Sequence, residues 1–192
     1  MDFFNSAYQG TPPWDIGRPQ KEFVELVRRG EITGSVLDIG CGTGEHALFF
    51  AGEGFEVFGI DSAPLAIRKA EEKAAARGLT VRFCVLDALH LQKLRRMFDT
   101  ATDSGLFHTL SDEDRPVFVE NLAAILVPGG NYFMLCFSDR EPAGYGPRRI
   151  TQQEIGESFQ DGWTIRYIRP AVFESRTRTS GPLAWLSSIV KK

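Results

Sequence analysis

Short apolar runs alternate with amphipathic stretches along most of the chain. A strand buried in a parallel sheet forms a short apolar run, whereas a helix packed on the sheet places apolar residues three or four positions apart. These patterns predict strands at 36–39, 55–60, 81–85, 98–104 and 132–137. They predict helices between the strands at 45–51, 64–77 and 111–126. The alternation indicates an α/β fold with a doubly wound, mostly parallel sheet.

The last part of the chain has a different pattern. A capping box at 151–154 predicts the start of a short helix. The segments 163–174 and 183–190 have β-strand character, which predicts an antiparallel C-terminal hairpin that completes a seven-stranded, Rossmann-like sheet. The sequence Leu-Val-Pro-Gly-Gly at 126–130 predicts a hairpin that leads into the fifth strand. We therefore expect helices on both faces of one large sheet.

The most informative segment reads Val-Leu-Asp-Ile-Gly-Cys-Gly-Thr-Gly at 36–44. Gly40, Gly42 and Gly44 follow the first predicted strand at every second position. Glycine allows positive φ angles and lets a ligand touch bare backbone, and the N–H groups that start the next helix face the loop. A strand, a glycine loop and a helix in this order predict a site for a nucleotide-type cofactor.

The spacing of the glycines narrows the choice of cofactor. A dinucleotide site has the pattern G-x-G-x-x-G, whereas this chain has G-x-G-x-G with Asp38 two residues before the first glycine. A carboxylate there repels a pyrophosphate but suits a ligand with an amino group or a positive charge. The loop also lacks the Gly-Lys-Ser/Thr ending of a P-loop. The pattern thus disfavours a nicotinamide-dependent oxidoreductase, which a binding assay with both cofactors would distinguish.

With an acid followed by G-x-G-x-G, the segment resembles the first motif of the class I S-adenosylmethionine-dependent methyltransferases. The resemblance covers nearly the whole chain and implies S-adenosyl-L-methionine as the cofactor. Asp61 ends the second predicted strand, where an acid holds the ribose hydroxyls of an adenosine ligand, and Ser62 is expected to cap the next helix. The resemblance places Asp87 against the adenine amino group and the Ala88 backbone beside the ring. The expected cofactor contacts are Trp14, Asp38, Gly40, Cys41, Gly42, Gly44, Asp61, Ser62, Asp87, Ala88 and Asp103.

Residues 103–108 follow the fourth predicted strand and are expected to lie where the cofactor and the methyl acceptor meet. They lack the Asn/Asp-Pro-Pro-aromatic signature of enzymes that methylate amino groups, which argues against a nucleobase amine as the acceptor. His108 and Asp103 are the candidates for a catalytic base, which a phenol or hydroxyl acceptor needs and a thiol does not. The alternative interpretation of His108 is a structural histidine bonded to the backbone.

The first thirty residues are expected to form a lid and a helix that pack on a single methyltransferase domain of residues 31–192. Aromatic residues, glycines and prolines are frequent in positions 1–18, a composition that suits a segment closing over a ligand. A helix is predicted from about residue 19 to 29. Such a lid would enclose a small acceptor and exclude water.

Two short sequences indicate the class of acceptor. The pair Trp14-Asp15 and the loop Gly146-Pro147 resemble the thiopurine and thiol/halide methyltransferases, although Arg148 stands where that group has a second proline. The resemblance implies methyl transfer to a small molecule, with a thiol or another soft or aromatic nucleophile as the acceptor. The alternatives are O-methylation of a phenolic small molecule and cofactor binding without catalysis. The expected acceptor contacts are Tyr8, Trp14, Phe107, Tyr145, Arg148 and Arg149.

Composition sets limits on partners and location. The 22 basic and 25 acidic residues give a net charge of −3 and are scattered, so we expect no nucleic acid partner. Cys41, Cys84 and Cys136 are expected to be reduced core thiols of a cytoplasmic protein, not a disulfide framework or a metal site. No apolar run is long enough to cross a membrane. The sequence leaves the oligomeric state open.

Overall fold

A computed structural model describes residues 2–144 and 146–192. Its strands are β1 (Ser35–Ile39), β2 (Glu56–Asp61), β3 (Arg82–Val85), β4 (Phe98–Ser104), β5 (Leu126–Phe137), β6 (Trp163–Val172) and β7 (Leu183–Lys191). Its α-helices are α1 (Asp2–Ala7), α2 (Lys21–Arg28), α3 (Glu45–Gly52), α4 (Pro64–Arg77), α5 (Asp114–Ile125) and α6 (Gln152–Ser158). All seven strands belong to one sheet in the order β3-β2-β1-β4-β5-β7-β6. The predicted fold class is confirmed.

Strands β1 to β5 run parallel, and β7 pairs antiparallel with both β5 and β6. Because β1 has β2 on one side and β4 on the other, the strand order reverses at β1. Ligands of doubly wound sheets bind outside the carboxyl ends of the strands at such a reversal. The glycine loop leaves β1 and residues 105–108 leave β4, so both predicted site segments start at this point.

Apolar side chains fill the space on both faces of the sheet. Along β5, Tyr132 and Met134 belong to one apolar cluster together with Phe118 of α5. Phe133 and Leu135 belong to a second cluster, to which α2 and α3 contribute. A strand covered on both faces needs apolar residues at consecutive positions. This explains why the sequence of β5 shows no alternation of apolar and polar residues.

One predicted turn is wrong. The expected hairpin at 126–130 is an irregular part of β5, which pairs in parallel with β4 on both sides of it. The pairing passes from Phe98 to Thr100 on β4 but from Leu126 to Asn131 on β5, so three extra residues bulge out of the strand. Proline and glycine interrupt a strand pattern in a turn and in a bulge alike. The sequence therefore shows the interruption but not its geometry.

The core position expected for the Cys84 thiol is also wrong, because the thiol is exposed. β3 is the edge strand of the sheet and pairs with β2 alone. Both Cys84 and its neighbour Val85 are open to solvent there. Cys41 and Cys136 are buried, as predicted.

We expect Gly130→Ala to destabilise the fold, because a methyl group there would lie 2.8 Å from the carbonyl oxygen of Val127 and 3.2 Å from that of Asp99. Overpacking of this kind costs about 1–3 kcal/mol in the free energy of unfolding. Gly156→Ala is the control, since its methyl group in α6 meets no atom of another element within 4 Å. That change should raise stability by roughly 0.5–1 kcal/mol. Urea unfolding of both variants measures the difference, and equal stabilities would contradict the packing described for the bulge.

Candidate functional site

The glycine loop, residues 40–44, leaves the carboxyl end of β1 and leads into α3. The φ angles of Gly40, Gly42 and Gly44 are 68°, 54° and 84°. All three lie in the left-handed region that the sequence pattern predicts and that other residues rarely adopt. The loop therefore presents backbone, without side chains, at these three positions.

A single carboxylate holds this loop against the start of α4. Asp61 Oδ2 accepts a hydrogen bond from Gly42 N at 2.9 Å, and its Oδ1 accepts one from Ala63 N at 2.8 Å. Burial raises the pKa of Asp61, while these two bonds lower it. The helix cap predicted for Ser62 is wrong, because Ala63 is the capping position and Asp61 satisfies its N–H.

Asp38 lies at the end of β1 and is 1% exposed. Its Oδ1 accepts a hydrogen bond from Thr102 Oγ1 at 3.0 Å, whereas its Oδ2 is buried without a hydrogen-bond partner among residues 2–144 and 146–192. Burial raises the pKa of Asp38 to about 7, although the Thr102 bond and the nearby backbone N–H of Ala47 lower it. A buried oxygen without a donor is unfavourable. The position therefore suits a ligand that brings a donor or a positive charge.

The strap, residues 2–18, crosses the glycine loop. The hydroxyl of Tyr8 accepts a hydrogen bond from Trp14 Nε1 at 3.0 Å. The same oxygen lies 2.7 Å from the point where a Cβ atom on Gly42 would stand. Burial, with the nearby charge of Asp61, raises the pKa of Tyr8, so the phenol stays neutral. Aromatic residues of the strap thus cover the loop at contact distance.

Polar side chains of α4 hold the strap in this position. Lys69 Nζ donates to two strap carbonyls, the nearer being that of Tyr8 at 2.6 Å. Lys73 Nζ donates to Thr43 Oγ1 at 2.6 Å, and the Thr43 hydroxyl donates to Asp15 Oδ2 at 3.0 Å. The strap, the glycine loop and α4 therefore share one hydrogen-bonded network.

The chain just after the strap is tied to the end of β6. The Gln20 side chain donates to the Glu174 carbonyl at 2.9 Å and accepts from Glu174 N at 2.7 Å. Arg18 adds two bonds of 2.8 Å to the Glu174 carboxylate. Gln20 N donates to His46 Nε2 at 3.0 Å, and burial lowers the pKa of that histidine to about 4. Sequence reasoning missed these residues, because nothing local marks a contact across 154 positions.

A cavity of about 50 Å³ lies between the strap, the glycine loop and the end of β4. Its walls include the predicted residues Tyr8, Trp14 and 40–42. Ser104, from the predicted segment 103–108, also lines it, as does Phe173, which the sequence did not indicate. The remaining wall residues are Asp15, Ile16, Arg18, Gln20, Thr43, Glu45 and His46. Strap and strand ends thus enclose one space.

His108 lies behind the Phe173 wall of this cavity. The centre of its ring is 6.0 Å from that of Phe173 and 4.7 Å from that of Phe137. Its Nδ1 accepts a hydrogen bond from Phe137 N at 3.0 Å. Burial, with the charge of Arg149, lowers the pKa of His108 to about 3. The imidazole is therefore neutral, with Nδ1 bonded to the backbone.

The carboxylate of Asp103 is fully engaged. It accepts hydrogen bonds from Leu106 N at 2.7 Å, Phe107 N at 2.9 Å and Tyr132 Oη at 2.8 Å. Burial raises the pKa of Asp103 to about 6, and these three bonds lower it. The group closes the turn after β4 and has no oxygen left free to act as the base considered for it.

Asp87 and Ala88 follow β3 at the same edge of the sheet. Asp87 Oδ1 accepts a hydrogen bond from Leu89 N at 2.9 Å and begins a short 3-10 helix, Ala88–Leu94. Ala88 is buried and Ser62 is half-buried. These residues stand at neighbouring strand ends, as an adenosine site requires, and their contacts with the cofactor stay predictions.

The two consecutive arginines expected at the acceptor point to different places. Arg148 is exposed and pairs with Asp112 and Glu154. It lies in a groove of about 670 Å³ between α5 and α6. Arg149 turns the other way, and its guanidinium lies 5.7 Å from the centre of the Phe137 ring. Only Arg149 is therefore close to His108.

Phe107 does not line the cavity either. Its ring is fully buried in the core, 6.3 Å from that of Phe118 and 5.9 Å from that of Phe159. Tyr145, the remaining acceptor residue predicted from sequence, lies outside the described residues.

No group of three or more His, Cys, Asp or Glu side chains among residues 2–144 and 146–192 is arranged to hold a metal ion. In the same part of the chain, no helix combines the length and the apolar character needed to cross a membrane.

Comparison with known proteins connects this site to a family. Residues 36–130, which run from β1 into β5, match a family model described as a methyltransferase domain. A 2-heptyl-1-hydroxyquinolin-4(1H)-one methyltransferase from Mycobacteroides abscessus is 38% identical over 182 residues, which cover 89% of this chain and 80% of that protein. A probable thiol methyltransferase 2 from Arabidopsis thaliana is 27% identical over 147 residues, which cover 76% of this chain and 65% of that protein.

A solved structure gives the same indication. It is described as "Conversion of a Disulfide Bond into a Thioacetal Group during Echinomycin Biosynthesis" and superposes with a TM-score of 0.91 at 36% identity. The superposition covers all of this chain and 92% of that one. Since the fold, the glycine loop and relatives that match most of the chain agree, the chain belongs to the class I S-adenosylmethionine-dependent methyltransferases and resembles their thiol methyltransferase group.

Proposed function

We propose that this enzyme transfers the methyl group of S-adenosyl-L-methionine to a small molecule with a soft or aromatic nucleophile, a thiol being the first candidate. The observation that carries the proposal is the cavity between the glycine loop and the strap, with Trp14 and Phe173 in its walls. At about 50 Å³ this cavity is smaller than a typical ligand site of roughly 300–1,000 Å³, so the strap has to shift to admit the cofactor and a small acceptor. We propose residues 1–30 as its lid and 31–192 as the catalytic domain.

The residues around the glycine loop fit the cofactor. S-adenosyl-L-methionine carries a positive sulfonium and an amino group, and Asp38 Oδ2 is a buried carboxylate oxygen that lacks a donor. A cation near this oxygen would compensate the cost of its burial. We assign Asp38 and the glycine loop to the methionine part of the cofactor. Asp61, Asp87 and the Ala88 backbone are assigned to the adenosine part.

The cofactor supplies a methyl group that is already activated, so the protein has to align and enclose the acceptor. Tyr8 and Trp14 lie over the loop and would keep water away from the reacting atoms. Holding a nucleophile at near-attack distance contributes roughly 7–11 kcal/mol in well-oriented pairs. Alignment beneath the strap is therefore the main catalytic contribution that we assign to this chain.

Sulfur and oxygen are the two acceptor atoms with support from relatives. The thiol methyltransferase relative and the structure connected with a disulfide bond favour sulfur. The relative that acts on a hydroxyquinolinone favours a hydroxylated heteroaromatic ring as the second candidate. The aromatic walls Trp14 and Phe173 of the cavity suit either type of compound.

Affinity for S-adenosyl-L-methionine should rise as the pH passes upward through about 7, the pKa to which burial raises Asp38. Below that pH the free protein holds the Asp38 proton, and a cationic ligand must displace it. Isothermal titration at pH 6.5 in two buffers of different ionisation enthalpy should therefore detect proton release. Asp38→Asn should abolish the proton release and weaken cofactor binding by about 1–3 kcal/mol. Asp99→Asn is the control: Asp99 lies at the start of β4, away from the strand ends that form the site, so its substitution should leave the proton release and the affinity unchanged. Binding without proton release in the parent protein would contradict the assignment.

Loosening the strap should expose it to protease. Lys73→Met removes the bond to Thr43 and the 4.0 Å ion pair with Asp15. Arg77→Met is the matched control, because Arg77 bonds to Glu45 without touching the strap. We expect faster cleavage within residues 9–13 in Lys73→Met alone, and slower cleavage of the parent protein when cofactor and acceptor are present. If neither the substitution nor the ligands change the cleavage rate, the strap is a rigid part of the fold and not a lid.

The acceptor is tested by mass spectrometry of products from S-adenosyl-L-methionine and a panel of aromatic thiols, phenols and N-hydroxylated heteroaromatics. We expect methylated thiols as the main products. Arg149→Met should raise the KM for an anionic acceptor about tenfold, as expected for one lost charge-assisted bond, without changing cofactor affinity. Arg148→Met is the control and should leave this KM unchanged, since Arg148 pairs with Asp112 and Glu154. Inert thiols beside methylated oxygen compounds would make the second candidate the acceptor.

A further inference from the structure

We propose that His108 binds the nucleophilic atom of the acceptor as a hydrogen-bond donor through Nε2, and that the acceptors are molecules that ionise on their own near neutral pH. The inference rests on the proposed function for the location of the acceptor. It gives His108 a task opposite to that of a general base. It also means that the enzyme discriminates between acceptors by their pKa.

The tautomer follows from one backbone bond. Phe137 N donates to His108 Nδ1 at 3.0 Å, so Nδ1 carries a lone pair and no proton. A neutral imidazole has one donor and one acceptor nitrogen, which puts the proton on Nε2. Accepting a proton from a substrate would require Nδ1, and that atom is taken. His108 is thus built to donate, and its low pKa of about 3 agrees with a ring that stays neutral.

The donor lies close to two residues that line the cavity, Ser104 and Phe173. His108 Nε2 lies 3.4 Å from the point where a Cβ atom on Gly105 would stand, next to the cavity residue Ser104. Phe173, another wall residue, lies 3.0 Å from the same point. Within residues 2–144 and 146–192, Nε2 has no hydrogen-bond partner, although His108 is only 5% exposed. The Nε2 donor is therefore available, and an acceptor atom that reaches it would gain a hydrogen bond.

The acidic groups around His108 already hold hydrogen-bond donors. From the loop after β5, Arg149 lies close enough to lower the His108 pKa. Three acids lie on the segments that pack near His108. Asp103 accepts hydrogen bonds from three donors. Glu141 accepts from Leu183 N and Arg178, and Glu174 accepts from Arg18 and Lys21 N. On the strap, Asp15 accepts from Thr43. None of these described acids is free to remove a proton from a substrate beside His108.

An acceptor that has lost its proton to solvent needs no base. In the transfer, the acceptor atom forms a bond to the methyl carbon while the carbon–sulfonium bond breaks and its electron pair stays on sulfur, giving S-adenosylhomocysteine. No proton moves in this step, so the charges balance. A thiolate or another stabilised anion accepts a hydrogen bond from Nε2, whereas an un-ionised phenol with a pKa of about 10 is a poor nucleophile. The geometry thus favours acidic thiols and acidic hydroxyl groups.

Two substitutions separate the donor from the structural bond. His108→Asn places an amide oxygen near the position of Nδ1, which keeps the Phe137 bond and removes the Nε2 donor. His108→Gln places an amide nitrogen near Nε2, which keeps the donor and loses the Phe137 bond. We expect His108→Asn to lower kcat/KM for the acceptor about 10- to 100-fold, the loss of one hydrogen bond to an ion, with parent-like stability and cofactor affinity. His108→Gln should be less stable than His108→Asn and yet have a higher kcat/KM for the acceptor.

The pH dependence distinguishes a donor from a base. With a series of substituted thiophenols of graded acidity, log kcat/KM should rise with pH and level off at the pKa of each acceptor. A single inflection shared by all acceptors and absent in His108→Asn would make His108 a base and overturn the inference. Parent-like activity of both variants would overturn it as well.

A spectroscopic measurement keeps the inference separate from the proposed function. Ring ¹⁵N spectra of His108 should show the Nε2–H tautomer from pH 5 to 8, and the Nε2 signal should shift when a thiophenolate joins the complex with S-adenosylhomocysteine. If no thiol or hydroxyl compound in the panel is methylated, the proposed function has failed. The inference itself fails if the Nδ1–H tautomer is found or if the Nε2 signal stays unchanged.

Discussion

Three glycines of the loop after β1 stand where no side chain fits, and each touches a different part of the molecule. A Cβ atom on Gly40 would lie 3.0 Å from Leu106 in the turn after β4. One on Gly42 would lie 2.7 Å from the Tyr8 hydroxyl of the strap, and one on Gly44 would lie 2.9 Å from α4. Strap, turn and helix therefore reach this backbone at contact distance. The walls of the cavity keep their spacing because the loop occupies so little volume.

Three buried acids at neighbouring strand ends show how partners decide what a carboxylate does. Asp61 accepts two backbone N–H groups and fixes the loop. Asp103 accepts two N–H groups and a phenol and fixes a turn. Asp38 accepts one hydroxyl and keeps one buried oxygen bare. Burial opposes the charge of all three, and among them the oxygen without a hydrogen bond belongs to Asp38.

The sequence predicts most of the sheet and the glycine loop, because a strand covered on both faces and a tight turn leave local traces. It does not predict which acid is left with a bare oxygen, since Asp38 and Asp103 occupy equivalent strand ends. Nor does it separate Arg148 from Arg149, whose opposite directions depend on acids elsewhere in the chain. Phe173, which directly follows β6, lines the cavity although it is far from the glycine loop in the sequence. No local sequence pattern predicts such a long-range contact.

The joint between Gln20 and Glu174 couples two walls of the cavity. The Gln20 side-chain amide pairs with the Glu174 backbone as a neighbouring strand would: it donates to the Glu174 carbonyl and accepts from the Glu174 N–H. Phe173, which walls the acceptor side, is the next residue along the chain. A shift of the strap therefore pulls on the Phe173 side of the cavity as well. The two walls are joined through one residue pair, so a substitution at Gln20 would loosen both at once.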